Sequence, residues 1–363
     1  MISNQYMKLA IDLAKGVVGQ TSPNPPVGAV VVKDNRVVGV GLHMQAGDKH
    51  AEVLAIEMAG EKAMEADLYV TLEPCAHHGK TPPCSNFIVK SGIRRVFVSA
   101  IDPNPLVAGK GIELLEAKGI DVEIGLHQKE TNELYKIFFK FIQKRTPYIT
   151  MKLAMTADGK IAAANGDSKW ITSENSRYDT HQLRDKHDAI LVGIETILTD
   201  NPNLTTRLPQ GGKNPIRIIL DTHLRILEQA NVIKDRQAKT IIFCGSQASR
   251  EKEEKLLKSD IEVIRLENRQ IDLKEVVKIL GNFGVMSLLV EGGSTIYFSF
   301  IQEKLVDELI IYMAPKILGG SSAISSIGGE GFSHISKSFP LAFTKVELIE
   351  GDIKITACPL KGV

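Results

Sequence analysis

Two successive series of strand-sized apolar runs, each alternating with stretches of helical spacing, constrain this chain more than any other feature. The first series reads VGAVVVK, RVVGVGLH, DLYVTLE, RRVFVSA and DVEIG; the second reads YITMKLAMT, DAILVG, PIRIILD, KTIIFC, IEVIRL and SLLVEGG. Alternation of this kind implies a sheet with helices on both faces, once in each series. The second series closes on ELIIYMAPKIL, KVELIEG and DIKITAC, which predicts an antiparallel finish. Between the series, one helix is expected from about Gln128 to Gln143. It ends in KRTPYI, where basic residues in the last turn and a proline just beyond act as stop signals. The expected domains are therefore residues 1–145 and 146–363, since 363 residues exceed one ordinary core. In the first domain, helices are expected over Ser3 to Val18, from His50, near Cys84 and from Gly109, with Asp34-Asn35 as the turn between the first two strands.

Charge excludes some partners. A formal net charge of +1 gives no electrostatic reason for nucleic acid or an anionic membrane as partner. The apolar runs are too short to span a membrane. The opening MISNQYMKLAIDLAKG lacks the basic-then-apolar order of a secretory signal and reads as an amphipathic helix. With only four cysteines, the expectation is a cytoplasmic protein without structural disulfides.

Two of those cysteines stand in TLEPCAHHGKTPPCSNF, from Thr71 to Phe87. His50, Cys75 and Cys84 offer three ligands suited to tetrahedral zinc with the fourth position left to water. Cys244 and Cys358 fall in the other expected domain, so an open site is favoured over a closed, structural one. A helix beginning near Cys84 would help hold the thiolates ionised. Glu52, two residues past His50, can enter the site without binding metal and carry a proton from water to a leaving amine. A closed zinc knuckle and an unliganded surface loop remain the bland alternatives.

HAE followed by PC resembles the zinc-dependent cytidine-type deaminases, whose signature is H-x-E then P-C-x-x-C. Here eight residues, not two, separate Cys75 from Cys84. The long form EPCxHxGxTPPC, with SPNPPVGAVVV before it, resembles the deaminase half of the bifunctional riboflavin-biosynthesis family. That resemblance implies that Asn24, His43, His77, Lys80, Asp102 and Asn104 line a substrate pocket. On chemistry alone, a loop histidine is usually solvated surface and the IDPNP stretch a strand-ending turn.

The second series has no G-x-G-x-x-G fingerprint after its first strand, so an ordinary Rossmann site is not expected. Its segments MKLAMTADGKIA, SKWITS, DAILVGIETILTDNPNLTTR and LLVEGGSTI resemble the reductase half of the same family. The resemblance covers essentially the whole chain. It implies two α/β domains, a cytidine-deaminase-like three-layer α/β/α domain followed by a dihydrofolate-reductase-like α/β domain that uses NADPH. Substrate contacts are implied for Lys152, Ser168, Arg184, Leu204, Arg207 and Glu291. Cofactor contacts are implied for Ala154, Trp170, Thr172, Thr196, Asp200, Gly292, Gly293 and Ser294. A tight turn is the plain alternative for the two glycines, a half-buried core aromatic for Trp170, and exposed strand ends for Lys152 and Glu291.

The implied activity is zinc-dependent deamination of 2,5-diamino-6-(5-phosphoribosylamino)pyrimidin-4(3H)-one, then reduction of the ribosyl group to ribityl by NADPH. The partner is thus a small pyrimidine ribonucleotide, and the sequence leaves a homo-oligomer open. Two rivals stay in view. A nucleic-acid base deaminase with an appended domain would need a basic, aromatic-lined strand channel, which the near-neutral composition does not suggest. A non-catalytic zinc-stabilised nucleotide-binding protein would have no use for Glu52 beside an open metal position.

Overall fold

The computed structural model of the chain describes residues 2–76, 83–105, 107–259 and 261–360. It divides into two compact units, Met1–Arg145 and Thr146–Val363.

The first unit runs α1 (Ile2–Lys15), β1 (Gly28–Lys33), β2 (Arg36–Leu42), α2 (Ala51–Ala59), β3 (Asp67–Leu72), α3 (Cys84–Lys90), β4 (Arg95–Ala100), α4 (Lys110–Ala117), β5 (Asp121–Ile124), α5 (Gln128–Leu134) and α6 (Lys136–Lys144). Its sheet has the order β2-β1-β3-β4-β5. β1 is antiparallel to both neighbours, whereas β3, β4 and β5 are parallel. The valine-rich β1 is buried on both faces. Ala29 and Val31 pack with α2 residues, while Val30 and Val32 pack with Met7, Ala10 and Ile11 of α1. This period-2 division makes the unit three layers deep, and each fully buried valine contributes about 1.5–3 kcal/mol. Asp34 and Asn35 turn the β1–β2 hairpin with φ of 51° and 57°, as a two-residue hairpin turn requires. Gly41 lets α2 lie directly on β2, for a Cβ there would stand 2.0 Å from the Ala51 carbonyl oxygen. That contact fixes the start of α2, where His50 and Glu52 sit.

Two expectations are corrected here. The first helix stops at Lys15 and gives way to turns before Val18. The single helix expected from Gln128 breaks at Tyr135, whose ring is fully buried and whose hydroxyl donates to Thr71 Oγ1 at 2.6 Å. A tertiary contact, not local spacing, sets that break.

The second unit runs β6 (Tyr148–Thr156), β7 (Lys160–Ala162), α7 (Glu174–Lys186), β8 (Ala189–Gly193), α8 (Ile194–Asp200), β9 (Ile216–Leu220), α9 (Asn231–Lys234), β10 (Thr240–Cys244), α10 (Arg250–Lys258), β11 (Glu262–Arg265), α11 (Leu273–Asn282), β12 (Ser287–Val290), α12 (Ser294–Gln302), β13 (Glu308–Ala314), β14 (Ile324–Ser325), β15 (Leu341–Ile349) and β16 (Asp352–Pro359). Nine strands form one sheet in the order β11-β10-β9-β8-β12-β6-β13-β16-β15. All pairings are parallel as far as β13, and β16 and β15 finish it antiparallel. Leu191, Ile218 and Ile241 meet α11 and α12 on one face, while Ile190, Ile219 and Ile242 meet Ile197 of α8 and Leu256 of α10 on the other. Strands buried on both faces are those of a parallel sheet covered by helices. The antiparallel edge differs. Phe343, Val346 and Leu348 of β15 are 66%, 61% and 79% exposed; Ile355 and Ile353, opposite Val346 and Leu348, share that face, while Ala357, opposite Phe343, is buried in the core.

Candidate active sites

His50 is the last residue before α2, Cys75 follows β3 and Pro74, and Cys84 opens α3. Three element ends thus converge, and their ligand atoms all lie within 4.8 Å of one another. Nδ1 of His50 is 3.0 Å from the Cys84 sulfur and 3.6 Å from that of Cys75. The Cys84 amide donates to Cys75 Sγ at 3.3 Å, and both the amide and hydroxyl of Ser85 donate to the Cys75 carbonyl. The first turn of α3 therefore wraps Cys75. Hydrogen bonding from the Cys84 thiol, against the cost of burial, holds Cys75 well below the usual thiol range. The same pairing and burial push the Cys84 thiol up. One imidazole nitrogen and two sulfurs, one already favouring thiolate, fit a zinc ion with one position open. Among the described residues no fourth ligand joins them.

Glu52 is 3% exposed in the first turn of α2. Burial, together with the Cys75 thiolate, pushes its carboxyl up to about 7. A carboxyl poised near neutrality beside a metal position is suited to moving protons in both directions.

Asn24, His43, Asp102 and Asn104 line one cavity of about 350 Å³ with His50, Glu52 and Cys75. His43 Nδ1 is 3.2 Å from the Lys49 carbonyl, so its Nε2 accepts from the Asn24 side-chain amide at 3.0 Å. Asn24 is thereby turned with its oxygen free to accept a hydrogen bond. His77 and Lys80 lie outside the described residues. Phe138 and Ile142 of α6 complete the wall, and nothing in their pattern marked them beyond the apolar face of a helix. Glu73 also lines the cavity; it stands in the TLEPC stretch, and its partners are backbone groups, which residue types do not reveal.

In the second unit, Lys152, Arg184 and Glu291 come together from β6, α7 and the end of β12. Arg184 grips Glu291 through two nitrogens at 2.8 and 3.0 Å, and Lys152 Nζ stands 3.2 Å away. The Glu291 side chain is 7% exposed. Burial opposes its charge, yet the two cations hold its carboxyl well below the usual range. Arg184 also donates to the Thr205 carbonyl at 3.0 Å. The neighbouring Arg207 is exposed, and its amide donates to His181 Nδ1 at 3.3 Å. Burial and the Arg184 and Arg207 guanidiniums push His181 down to about 4, so it is neutral. No sequence signal marked His181. Leu204 is corrected in one respect: its side chain is 2% exposed in the core, with φ of 54°, so only its backbone can face a ligand.

A cleft of about 1110 Å³ opens along the strand ends, and its wall includes Ser168, Thr196, Asp200, Gly293 and Ser294. Ala154, Trp170, Thr172 and Gly292 are not part of that wall. Gly292 is buried, and a Cβ there would meet Ile296 at 2.8 Å. Gly293 precedes α12 with open space where a Cβ would be, which leaves its backbone approachable. Neither glycine has positive φ, so no left-handed backbone demands glycine at either position. A helix start facing a long cleft suits a dinucleotide's phosphates. Trp170 is 63% exposed and carries the Arg177 guanidinium 4.7 Å from its ring centre, which excludes a half-buried core role.

The cytidine and deoxycytidylate deaminase zinc-binding region matches residues 2–100, and the RibD C-terminal domain matches residues 147–355. The riboflavin biosynthesis protein RibD of Bacillus amyloliquefaciens is 51% identical over 98% of this chain and 96% of its own. That of Aquifex aeolicus is 46% identical over 98% of each. Among solved structures, Acinetobacter baumannii RibD aligns with a TM-score of 0.90 at 35% identity over 99% of each chain. A diaminohydroxyphosphoribosylaminopyrimidine deaminase/5-amino-6-(5-phosphoribosylamino)uracil reductase from Thermotoga maritima aligns with a TM-score of 0.88 at 36% identity, again over 99% of each.

Proposed function

The chain belongs to the RibD family of riboflavin biosynthesis proteins, and from that premise we propose how its residues divide the work of a bifunctional deaminase and reductase. Residues 1–145 carry the deamination of the diaminopyrimidine ribonucleotide, and residues 146–363 carry the reduction of its ribosyl group. The observation that supports this most directly is the convergence of His50, Cys75 and Cys84 beside the buried Glu52. Incubating purified protein with the diamino substrate, with and without NADPH, tests it by mass spectrometry. Deaminated product alone is expected without NADPH, and the ribityl product with it.

His50, Cys75 and Cys84 would hold zinc, which when bound would lower the pKa of a water to about 7. Glu52 would carry a proton from water to the departing amine. Asn24, held by His43, accepts a hydrogen bond from the pyrimidine edge, and Asp102 and Asn104 hold the ring from the opposite loop. By the family pattern His77 and Lys80 belong to the same pocket, Lys80 at the ribose phosphate. In the other unit, Thr196, Asp200, Gly293 and Ser294 would hold NADPH, whose chemistry when bound would be hydride donation for reduction of the ring-opened ribose carbon. Ala154, Trp170, Thr172 and Gly292 belong to the cofactor's surroundings by the family pattern. Lys152 and Glu291 hold the sugar hydroxyls. Ser168, Arg184, Arg207 and the Leu204 backbone face the phosphate, where arginine's fork suits a dianion.

One zinc per chain is expected in the purified protein. Cys84→Ser should lose it, and full occupancy in that variant by metal analysis would remove the ligand assignment. Residues 1–145 expressed alone should fold, take up zinc and release ammonia from the diamino substrate. A folded, zinc-loaded and inert fragment would show that deamination draws on the second unit.

A cytoplasmic location is supported by the four free cysteines, since oxidation of Cys75 and Cys84 would consume the ligand set. No helix among the described residues is long and apolar enough to cross a membrane. Neither nucleic acid nor membrane is assigned as partner. The exposed apolar face of β15 and β16 supports a homo-oligomer formed through it, as patches of this kind mark association surfaces. Sedimentation of Val346→Lys/Leu348→Lys protein should then show a smaller species than the parent. Equal sedimentation would take that face out of any assembly.

A further inference from the structure

Glu73 directly follows β3, the strand that delivers Pro74 and Cys75 to the metal position, and it is 4% exposed. Among the described residues it forms no ion pair. Its carboxylate is met by backbone N–H groups: Oε2 accepts from Asp102 at 3.3 Å and from Gly109 at 3.0 Å, and Oε1 accepts from Gly111 at 3.0 Å. These donors bracket the loop that carries Asp102 and Asn104, one at its start and two at its end.

The loop closes on itself in between. Asn104 N–H donates to Asp102 Oδ1 at 2.8 Å, and the amides of Val107 and Ala108 donate to the Asn104 carbonyl, each at 2.8 Å. Lys110 Nζ adds a bond to the Pro105 carbonyl. The bonds from Asp102, Gly109 and Gly111 to Glu73 join this compact turn to the metal-bearing strand. Gly111 makes the approach feasible, because a Cβ there would stand 2.0 Å from the Pro74 oxygen and 3.2 Å from Glu73 Oε1. A buried carboxylate has been placed where a neutral acceptor could satisfy only part of this donor set.

We propose that Glu73 is a positioning residue for deamination, clasping both ends of the loop of residues 101–109 so that Asp102 and Asn104 face the ring held at the metal. It is outside the metal ligand set, and although it borders the cavity its carboxylate oxygens are turned to the loop's N–H groups, so it acts through the loop. This rests on reading the zinc cavity as the deaminase site, and failure of that reading shows separately, as absence of ammonia release from the parent protein. Glu73→Gln keeps the side chain's size but turns an amide NH₂ toward an N–H donor. Hydrogen bonds to charged groups are each worth enough that KM for the diamino substrate should rise about tenfold to a hundredfold. With substrate saturating, kcat should stay within about threefold, because Glu52 and the metal ligands are unmoved.

The test uses the full zinc-loaded chain. Steady-state deamination gives the KM-against-kcat split, and hydrogen exchange without substrate reads residues 101–111 directly. Zinc content and NADPH-dependent turnover of pre-deaminated substrate certify that each variant is folded. Expected are faster exchange over 101–111 with β3 and α3 unchanged, and a raised KM. Should Glu73→Gln lose zinc, Glu73→Asp carries the same test, its shorter carboxylate being unable to reach both loop ends. In a zinc-loaded variant, unchanged exchange over 101–111, an unchanged KM, or a fall in kcat without a rise in KM would overturn the proposal.

Discussion

Replacing Glu52 by glutamine should leave zinc in place and slow ammonia release by about 10²- to 10⁴-fold, the range usual for an essential proton-transfer group. The side chain is buried in the first turn of α2, two residues past a metal ligand and outside the ligand set itself. Glutamine fits the same space, so the metal position should survive. What disappears is a group that can take a proton and give it back. Burial pushes the Glu52 carboxyl above the usual carboxylate range, as befits a group that must hold a proton in passing. Reduction of pre-deaminated substrate by the same variant should proceed at the parent rate, since its groups lie in residues 146–363. Ammonia assay, metal analysis and NADPH oxidation on one preparation give all three answers. Near-normal ammonia release would remove Glu52 from the reaction.

Loss of Glu291 or Lys152 should be as damaging to the other half-reaction. Glu291 is shared by Arg184 and Lys152, and its side chain is 7% exposed. Taking away Glu291 leaves two buried cations without their counterion, worth about 2–5 kcal/mol where measured at buried pairs, whereas without Lys152 the carboxylate keeps Arg184. Glu291→Ala frees the two cations to move apart, and Lys152→Ala takes one donor from the sugar. Each should lower NADPH oxidation by the deaminated substrate about 10²-fold or more, with cofactor binding largely kept because the cleft wall is intact. Deamination continues in both. Steady-state assays of both half-reactions, with a thermal melt for Glu291→Ala, decide it. Reduction at the parent rate in either variant would place that residue outside the site.

The strands were legible because runs such as AVVV and AILV bury both faces, which little else in a soluble protein does. Hairpin and helix starts were legible from Asp34-Asn35 and from the residues beside Cys84. The break at Tyr135 was not, since Thr71, sixty-four residues away, causes it. The trio His50, Cys75 and Cys84, whose ligand atoms the fold brings within 4.8 Å of one another, was readable from residue type. The grip of Arg184 on Glu291 spans 107 positions, so only the family resemblance brought both residues into view. Glu73 was not legible, for backbone N–H donors leave no trace in residue identity. Nor was His181, whose lowered pKa comes from burial and from guanidiniums gathered by the fold.

The second unit's first strand lies in the middle of its sheet, and this bears on how the chain is made. β6 emerges early, yet its two neighbours are residues 287–290 and 308–314. The five strands of the first unit are complete by Ile124. During synthesis from the N-terminus, the metal-binding half can close its core while the ribosome is still far from the C-terminus. The other half has an apolar strand that waits, unpaired, for partners that arrive last. Such long-range parallel pairing is slow to form and exposed to aggregation while it is incomplete. A premature stop before β12 would therefore leave a folded first half tethered to a sticky, unfolded tail.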